Sequence, residues 1–312
     1  MTNQTFEQLK KTYESGRTRP LAWRRAQLNA LRRLVTENRD AFVSSAMADL
    51  GKPAAETVLM ELNLVAGEAQ FVRNRLSLWT ARHPKAMHWM LQPAAGWTIA
   101  EPKGVVLIIS PWNYPVQLTL IPLIGAIAAG NCTVVKPSEY AVHSAKVLAK
   151  LLREIFDEKY VAVLLGGRAV NEAVLKERFD YIFFTGSLAV GSVVMEAAAK
   201  HLTPVTLELG GKSPCIVDKT ADIKRAARRI VWGKFLNAGQ TCVAPDYVLV
   251  QEEVKEPLLR KMKHYIRKMY RDEPLLNPEY PKIINEKHFN RLKKMLLEQD
   301  GEIITGGRMD AD

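Results

Sequence analysis

The spacing of hydrophobic residues changes along the chain from a helical period to short apolar runs. Over residues 1–80 apolar side chains recur three and four positions apart, as from Leu28 to Val43, and this spacing predicts helices. Gly51 is typical of a helix stop, so a second long helix is expected after it. Between residues 82 and 103 the period fails and prolines recur, which indicates a connecting arm with short edge strands.

From residue 104 short apolar runs alternate with helical stretches. We predict strands at 104–109, 132–136, 161–165, 181–184 and 204–208, separated by helices near 116–129, 142–155, 169–176 and 188–200. Almost continuous apolar strands with helices between them are typical of a parallel sheet covered on both faces. The expected fold class is therefore α/β, with a Rossmann-type sheet whose ligands gather at the carboxyl ends of the strands.

A further section begins near Gly210. The pattern there predicts a strand at 213–217, a helix at 222–236, a loop to Cys242, a strand at 246–250 and two charged helices by 298. The sequence ends at Asp312, just after what resembles a strand and a turn, which we interpret as an incomplete α/β domain. The expected division is N-terminal helices at 1–81, the arm at 82–103, a cofactor domain at 104–208 and an incomplete catalytic domain at 209–312.

Composition and charge narrow the classes of function. The chain has 312 residues, 47% hydrophobic and 25% charged, as a globular protein does, and its net charge of +11 favours a phosphate-bearing partner. The basic cluster between Lys224 and Arg229 is interpreted as a solvated helix face, and zinc-finger spacing is missing, so we expect no nucleic-acid partner. Prolines interrupt the apolar region at 104–135, which excludes that region as a membrane span.

Three cysteines are too few and too scattered for a disulfide framework or a metal cluster, and this favours a reducing compartment. Cys132 and Cys215 lie in apolar strands, where cysteine usually behaves as a small buried hydrophobe. Cys242 instead follows a polar loop. An inert thiol and a reactive nucleophile both remain open for Cys242 at this point.

Two segments are candidates for binding phosphate or ribose. Gly186–Gly191 follows a strand and opens a helix, where free amides and the helix dipole attract anions, although Ser192 replaces the lysine of a P-loop. A plain glycine-containing turn is the alternative. Lys136 and Glu139 close another strand, either beside the ribose hydroxyls of a cofactor or in a solvated turn fixed by Pro137.

Two further side chains follow strands at the same edge of the sheet. The Asn113 amide lies in a loop held by two prolines and is suited to stabilising an oxyanion, or it satisfies only its own turn. Glu208 ends a strand beside two glycines. It is either a partly buried general base for water or a surface carboxylate paired with Lys212.

The joint order and spacing of these residues resemble the aldehyde dehydrogenase superfamily, and specifically its class 3 branch. The resemblance spans nearly the whole chain. Its most specific stretches are AAKHLTPVTLELGGKSP at 198–214 and NAGQTCVAPDY at 237–247.

The resemblance implies a role for each matched position. Cys242 matches the nucleophile, Glu208 the general base and Asn113 the oxyanion donor. The matched cofactor contacts are Gly186, Ser187, Leu188, Ala189, Val190 and Gly191 for the phosphates, Lys136 and Glu139 for the adenosine ribose, and Trp112 in the loop before Asn113.

The implied activity is oxidation of a medium-to-long aliphatic or aromatic aldehyde to a carboxylic acid with NAD or NADP, through a thiohemiacetal and a thioester on Cys242. Members of the superfamily continue well past residue 312. We therefore expect a chain that keeps the core residues but lacks part of the site. An inactive nucleotide-binding fragment and a cofactor-independent thiol esterase stay open as alternatives. A homodimer is expected for the full-length form, in the cytoplasm or peripheral to a membrane.

Overall fold

Helices and strands alternate through most of the computed structural model, which describes residues 3–310. The helices are α1 (Asn3–Glu14), α2 (Leu21–Glu37), α3 (Arg39–Leu50), α4 (Ala54–Thr57), α5 (Asn63–Trp79), α6 (Gln117–Ala129), α7 (Val142–Ile155), α8 (Arg168–Val174), α9 (Leu188–Ala199), α10 (Ile223–Phe235), α11 (Glu252–Tyr270) and α12 (Glu286–Leu297). The strands are β1 (His83–Lys85), β2 (Gly96–Thr98), β3 (Val105–Ile109), β4 (Cys132–Lys136), β5 (Val161–Val163), β6 (Tyr181–Thr185), β7 (Val205–Glu208), β8 (Ser213–Val217) and β9 (Pro245–Val250).

The N-terminal region is helical, as its hydrophobic spacing predicts. The stop at Gly51 is confirmed, because this residue ends α3 in the left-handed conformation at φ 60°. The helical stretch before Gly51 is divided into separate helices. Asn38 leaves helical geometry at φ −111°, and its side-chain amide donates to the Leu34 carbonyl, so α2 ends there and α3 begins.

The helix after Gly51 contains one irregular turn. A π-helical turn at Val58–Leu62 joins α4 to α5, and the long helix then runs to Trp79. The arm that follows contains β1 and β2 paired antiparallel, which confirms the short edge strands.

The central sheet has five parallel strands in the order β5-β4-β3-β6-β7. The predicted α/β class and parallel sheet are confirmed. Alternate residues of β3 face opposite sides: Val106 and Ile108 join the core under α2, α5 and α6, while Val105 and Leu107 join a second core with Phe179. The chain winds outward in one direction from β3 and then returns to add β6 on the other side. The carboxyl ends of β3 and β6 therefore flank a topological switch point, where ligands of such sheets bind.

A smaller α/β unit follows the central sheet. Strands β8 and β9 pair in parallel, and α10 and α11 pack on them through a core that includes Val217, Ile230 and Leu258. The predicted face of α10 is exposed from Lys224 to Arg229, apart from Ala226 and Ala227.

A strand and a turn were expected close to the end of the sequence, and the expected strand does not form. Residues 301–305 are irregular, and Ile303 and Ile304 are exposed, because no other strand lies alongside to form a ladder among residues 3–310. Residues 311–312, where the sequence ends, lie outside the described residues. Within the described part of the chain, no helix is both long and apolar enough to cross a membrane.

Candidate active site

Three loops meet beside the carboxyl ends of the central strands. The first follows β3 and contains Asn113, the second follows β7, which ends at Glu208, and the third precedes β9 and contains Cys242. Parallel strands bring the first two loops to one edge of the sheet, and the pairing of β8 with β9 brings the third loop against the second.

The Asn113 loop is tied directly to the Cys242 loop. The Asn113 side-chain amide donates to the Gln240 carbonyl at 2.9 Å, and the hydroxyl groups of Tyr114 and Thr241 lie 2.8 Å apart. Burial raises the pKa of Tyr114 to about 12, so this hydroxyl stays protonated at neutral pH and can donate to Thr241. These two bonds fix the residues immediately before Cys242.

The segment before Cys242 has an unusual backbone. Asn237, Ala238 and Gly239 all have positive φ, at 52°, 52° and 77°. Only glycine adopts this conformation freely, so the surrounding contacts must hold the first two residues in place. Asn237 is buried, and its side-chain amide donates to the Asn113 carbonyl at 2.8 Å.

Cys242 itself is exposed and lies at the second position of a turn closed by a bond from the Ala244 N–H to the Thr241 carbonyl at 3.2 Å. Within residues 3–310 the backbone N–H of Cys242 has no hydrogen-bond acceptor. A thiol beside a free amide donor is the combination required by a nucleophile that forms an oxyanion.

The other two cysteines differ from Cys242. Cys132 is fully buried in β4, and burial raises the pKa of its thiol to about 12, in line with the predicted inert hydrophobe. Cys215 is half-buried in β8. Sequence context thus separates the exposed thiol from the two strand cysteines.

Glu208 ends β7 opposite Thr185 of β6, and its carbonyl accepts the Gly186 N–H at 3.0 Å. The expected partial burial of its side chain is wrong. β7 lies at the edge of the sheet, and the Glu208 side chain is exposed. The alternative, a surface carboxylate paired with Lys212, is right in the exposure of Glu208 and wrong in the pairing, because Lys212 forms an ion pair with Asp246 at 3.2 Å.

The glycine segment lies next to Glu208, at the start of α9. Ser187 caps the helix by accepting from the Val190 N–H at 3.4 Å, and residues 187–190 are exposed. Both glycines lie close to other side chains: a Cβ at Gly186 would lie 2.5 Å from the Phe184 ring, and one at Gly191 would lie 2.8 Å from Leu209. The two glycines therefore allow the helix start to pack closely on Phe184 and Leu209, and the exposed backbone at residues 187–190 faces solvent together with the side chains of Leu188 and Val190.

Lys136 and Glu139 lie at the carboxyl end of β4. Lys136 is 1% exposed, and its ammonium donates to the Pro137 carbonyl at 2.8 Å and to Glu139 at 3.2 Å. Burial lowers the pKa of Lys136, while Glu139 opposes that shift. The solvated turn is therefore wrong for the lysine, although Glu139 remains half-buried and accessible.

Trp112 precedes Asn113 at the end of β3. Its ring packs against the ring of His288 in α12, with centroids 5.1 Å apart. Burial is the main cause that lowers the pKa of His288, and the positive charges of Arg291 and Lys287 lower it further.

Among residues 3–310 no cluster of three potential ligands could hold a metal ion.

Several site-supporting residues escaped the sequence interpretation. Lys52 and Glu61 form a buried ion pair behind the Asn113 loop. Glu56 is buried beside it, and burial raises the pKa of Glu56 despite the nearby charge of Lys52. Glu61 falls four residues before the buried Val65, on the apolar face of the helix, and this position is a signal that sequence alone contains.

Comparison with known proteins identifies the relatives of this chain. A family model described as the aldehyde dehydrogenase family matches residues 2–312. Aldehyde dehydrogenase family 3 member B2 of Mus musculus is 45% identical over 306 residues, which cover 98% of this chain and 64% of the relative. Family 3 member B1 of Homo sapiens is 46% identical over 308 residues, which cover 98% of this chain and 65% of the relative.

A solved structure gives the same result. The substrate-bound state of Staphylococcus aureus AldH superimposes with a TM-score of 0.96 at 40% identity, covering 99% of this chain and 68% of that chain. The described fold thus matches a solved member over almost its full extent. The chain spans 62% to 65% of the length of the curated relatives it matches.

Proposed function

The chain belongs to the aldehyde dehydrogenase family, and we propose that it carries the residues that oxidise an aldehyde to a carboxylic acid with NAD or NADP. The observation that carries the proposal is the exposed Cys242 thiol, on a loop bonded to the Asn113 side chain and packed against the residues that follow Glu208. An exposed thiol on an ordered loop is accessible to an electrophilic carbon.

The first step is attack of the Cys242 thiolate on the aldehyde carbon. A carbon–sulfur bond forms, the carbonyl π electrons move to oxygen, and the product is a thiohemiacetal whose oxyanion needs hydrogen-bond donors. The Cys242 N–H, which has no acceptor within residues 3–310, is one such donor. Asn113 supplies the second, because its amide has two N–H groups and the Gln240 carbonyl occupies one.

Glu208 is the general base for the second half of the reaction. Loss of hydride from the thiohemiacetal leaves a thioester on Cys242, and water must then be deprotonated before it attacks the thioester carbon. The Glu208 carboxylate is exposed, so water reaches it freely, and Gly211, three residues later, packs against the Cys242 carbonyl; both observations support this role. The carbon–sulfur bond breaks, the thiolate is released and the acid departs.

The residues for the cofactor fit a dinucleotide. At the start of α9, between Gly186 and Gly191, the backbone amides of residues 187–189 are offered to the phosphates at the switch point between β3 and β6, since the Gly186, Val190 and Gly191 amides bind protein acceptors. Glu139 is accessible to ribose hydroxyls, and the buried Lys136 ammonium holds its carboxylate. Trp112 lies in the loop at the same edge. When bound, NAD(P)⁺ supplies the hydride acceptor.

The identity of 45% to 46% with family 3 members supports the finer proposals. Through its resemblance to class 3, the chain is assigned medium-to-long aliphatic or aromatic aldehydes as substrates and both NAD and NADP as cofactors. The same resemblance supports a homodimer for the full-length form and the division at residues 81, 103 and 208.

The test incubates the 312-residue chain with hexanal or benzaldehyde and with NAD or NADP, and it follows absorbance of the reduced cofactor. We expect the unmodified chain to reduce the cofactor. Cys242→Ala should abolish this reduction, and Cys215→Ala should leave it unchanged. Normal turnover in Cys242→Ala would refute the assignment of Cys242 as the nucleophile. Cofactor binding without reduction would identify an inactive nucleotide-binding fragment. Hydrolysis of p-nitrophenyl acetate without any aldehyde oxidation would identify a thiol esterase.

A further inference from the structure

A buried ion pair lies behind the Asn113 loop, outside the residues assigned above to chemistry or cofactor. Lys52 follows α3 and Glu61 lies in the π-helical turn before α5, and the side chains of both are 0% exposed. Their charged atoms are 2.8 Å apart. Burying two charges costs free energy that a well-packed apolar pair would avoid, so stability alone does not explain the pair.

Both members of the pair also bind the backbone of one short segment. The Lys52 ammonium donates to the Asn113 carbonyl at 2.9 Å. Glu61 accepts from the N–H groups of Val116 and Gln117, at 2.8 and 3.2 Å, where α6 begins. The ion pair therefore holds the Asn113 loop at two points, at Asn113 in its middle and at its junction with α6, and hydrogen bonds to charged groups are stronger than neutral ones.

The hold extends to the cysteine loop. The Asn113 carbonyl that accepts from Lys52 also accepts from the Asn237 side chain at 2.8 Å, and the Asn113 side chain binds the Gln240 carbonyl. A continuous path of hydrogen bonds thus leads from Lys52 to a residue two positions before Cys242. Along this path Asn237 keeps its positive φ of 52°.

We propose that Lys52, balanced by Glu61, is a positioning residue that fixes the Asn113 amide against the Cys242 loop. It touches neither substrate nor cofactor and acts only through the Asn113 carbonyl. The catalytic consequence rests on the proposed function, whereas the positioning itself is a property of the fold.

The variant that tests the proposal removes both charges of the ion pair together. Lys52→Met/Glu61→Gln keeps most of the volume of both side chains and retains an amide oxygen for the Val116 and Gln117 N–H groups, and the buried carboxyl of Glu56, whose pKa is already raised by burial, is left in place. Arg24→Met is the matched control. Arg24 is also buried and also donates to backbone carbonyls, at Ala128 and Thr18, away from the Asn113 loop.

Hydrogen exchange measured by mass spectrometry decides the positioning whether or not the chain is active. In Lys52→Met/Glu61→Gln we expect peptides over residues 110–116 and 237–242 to exchange faster by about tenfold or more, as for loss of a hydrogen bond to a charged group. Arg24→Met leaves both peptides unchanged. Unchanged protection of these peptides in the double variant would overturn the proposal.

A cycle with Asn113→Ala separates positioning from general support of the fold. Removing the ion pair should slow acylation of Cys242 by p-nitrophenyl acetate about 10²-fold, the effect of losing one oxyanion donor. In the Asn113→Ala background the same change should add little, because the group it positions is gone. Additive losses would overturn the proposal. If the unmodified chain reacts with neither aldehyde nor ester, the proposed function fails, and the exchange experiment still decides the positioning.

Discussion

Gly211 lies closer to the Cys242 backbone than any side chain permits. A Cβ built on Gly211 would stand 2.4 Å from the Cys242 carbonyl oxygen and 3.3 Å from the Ser213 hydroxyl. The first contact is with backbone, so no side-chain rotation relieves it. Ordinary contact begins at 3.4 Å. Gly211→Ala must therefore displace either the Cys242 loop or the loop that follows β7.

The required displacement sets the size of the effect. The two backbones must separate by about 1 Å, and a misplacement of that size in a reacting group costs on the order of 10²-fold in rate. The loop cannot simply move as a whole, because Ser213 pairs with Pro245 and anchors both segments in the β8–β9 ladder. We expect Gly211→Ala to slow acylation of Cys242 about 10²-fold.

The assay is the burst of nitrophenolate from p-nitrophenyl acetate, with thermal unfolding followed in parallel. Gly210→Ala is the matched control, since a Cβ at Gly210 meets nothing within 4 Å. The control should acylate at the rate of the unmodified chain. If Gly211→Ala and Gly210→Ala acylate equally fast, the close approach of Gly211 does not set the position of Cys242.

Two further substitutions and one labelling experiment test the remaining assignments. Glu208→Gln should retain a burst of reduced cofactor and lose steady turnover, because thioester hydrolysis lacks its base; an unaltered steady rate would remove that role. Glu139→Ala should improve NADP binding relative to NAD several-fold in calorimetry, since a carboxylate repels a 2′-phosphate, and an unchanged ratio would refute a ribose contact. The raised pKa of Cys132 keeps its thiol protonated as pH rises toward about 12, so iodoacetamide near pH 8 should label Cys242 and spare Cys132; equal labelling would contradict the described burial.

Much of the fold follows from the hydrophobic pattern. The five strands of the central sheet lie where their apolar runs predict them. The inner strands β3 and β4, and β5 beside them, are buried on both faces and have few polar positions to obscure the pattern. The positions at which helices break were harder to predict from the sequence. Asn38 interrupts an apolar period that continues through it, and only its side-chain bond to Leu34 makes the break visible.

The site was predictable as residue types but not as environments. The exposed loop position of Cys242 follows from its polar approach segment, and the structure has it exposed. The exposure of Glu208 depends on β7 being an edge strand, which strand order alone determines. The Lys52–Glu61 pair joins residues nine positions apart to a loop more than fifty positions away, and no local pattern encodes that contact. The roles of the site residues and the domain boundaries remain predictions.

The central claim is that Cys242 carries the acyl group during aldehyde oxidation. The most direct measurement mixes the Glu208→Gln chain with benzaldehyde and NAD or NADP, quenches it with acid, and determines the masses of its cysteine peptides. We expect the Cys242 peptide to gain the mass of the aldehyde less two hydrogens, while the Cys132 and Cys215 peptides stay unmodified. An unmodified Cys242 peptide, or an acyl group on either other cysteine, would contradict it.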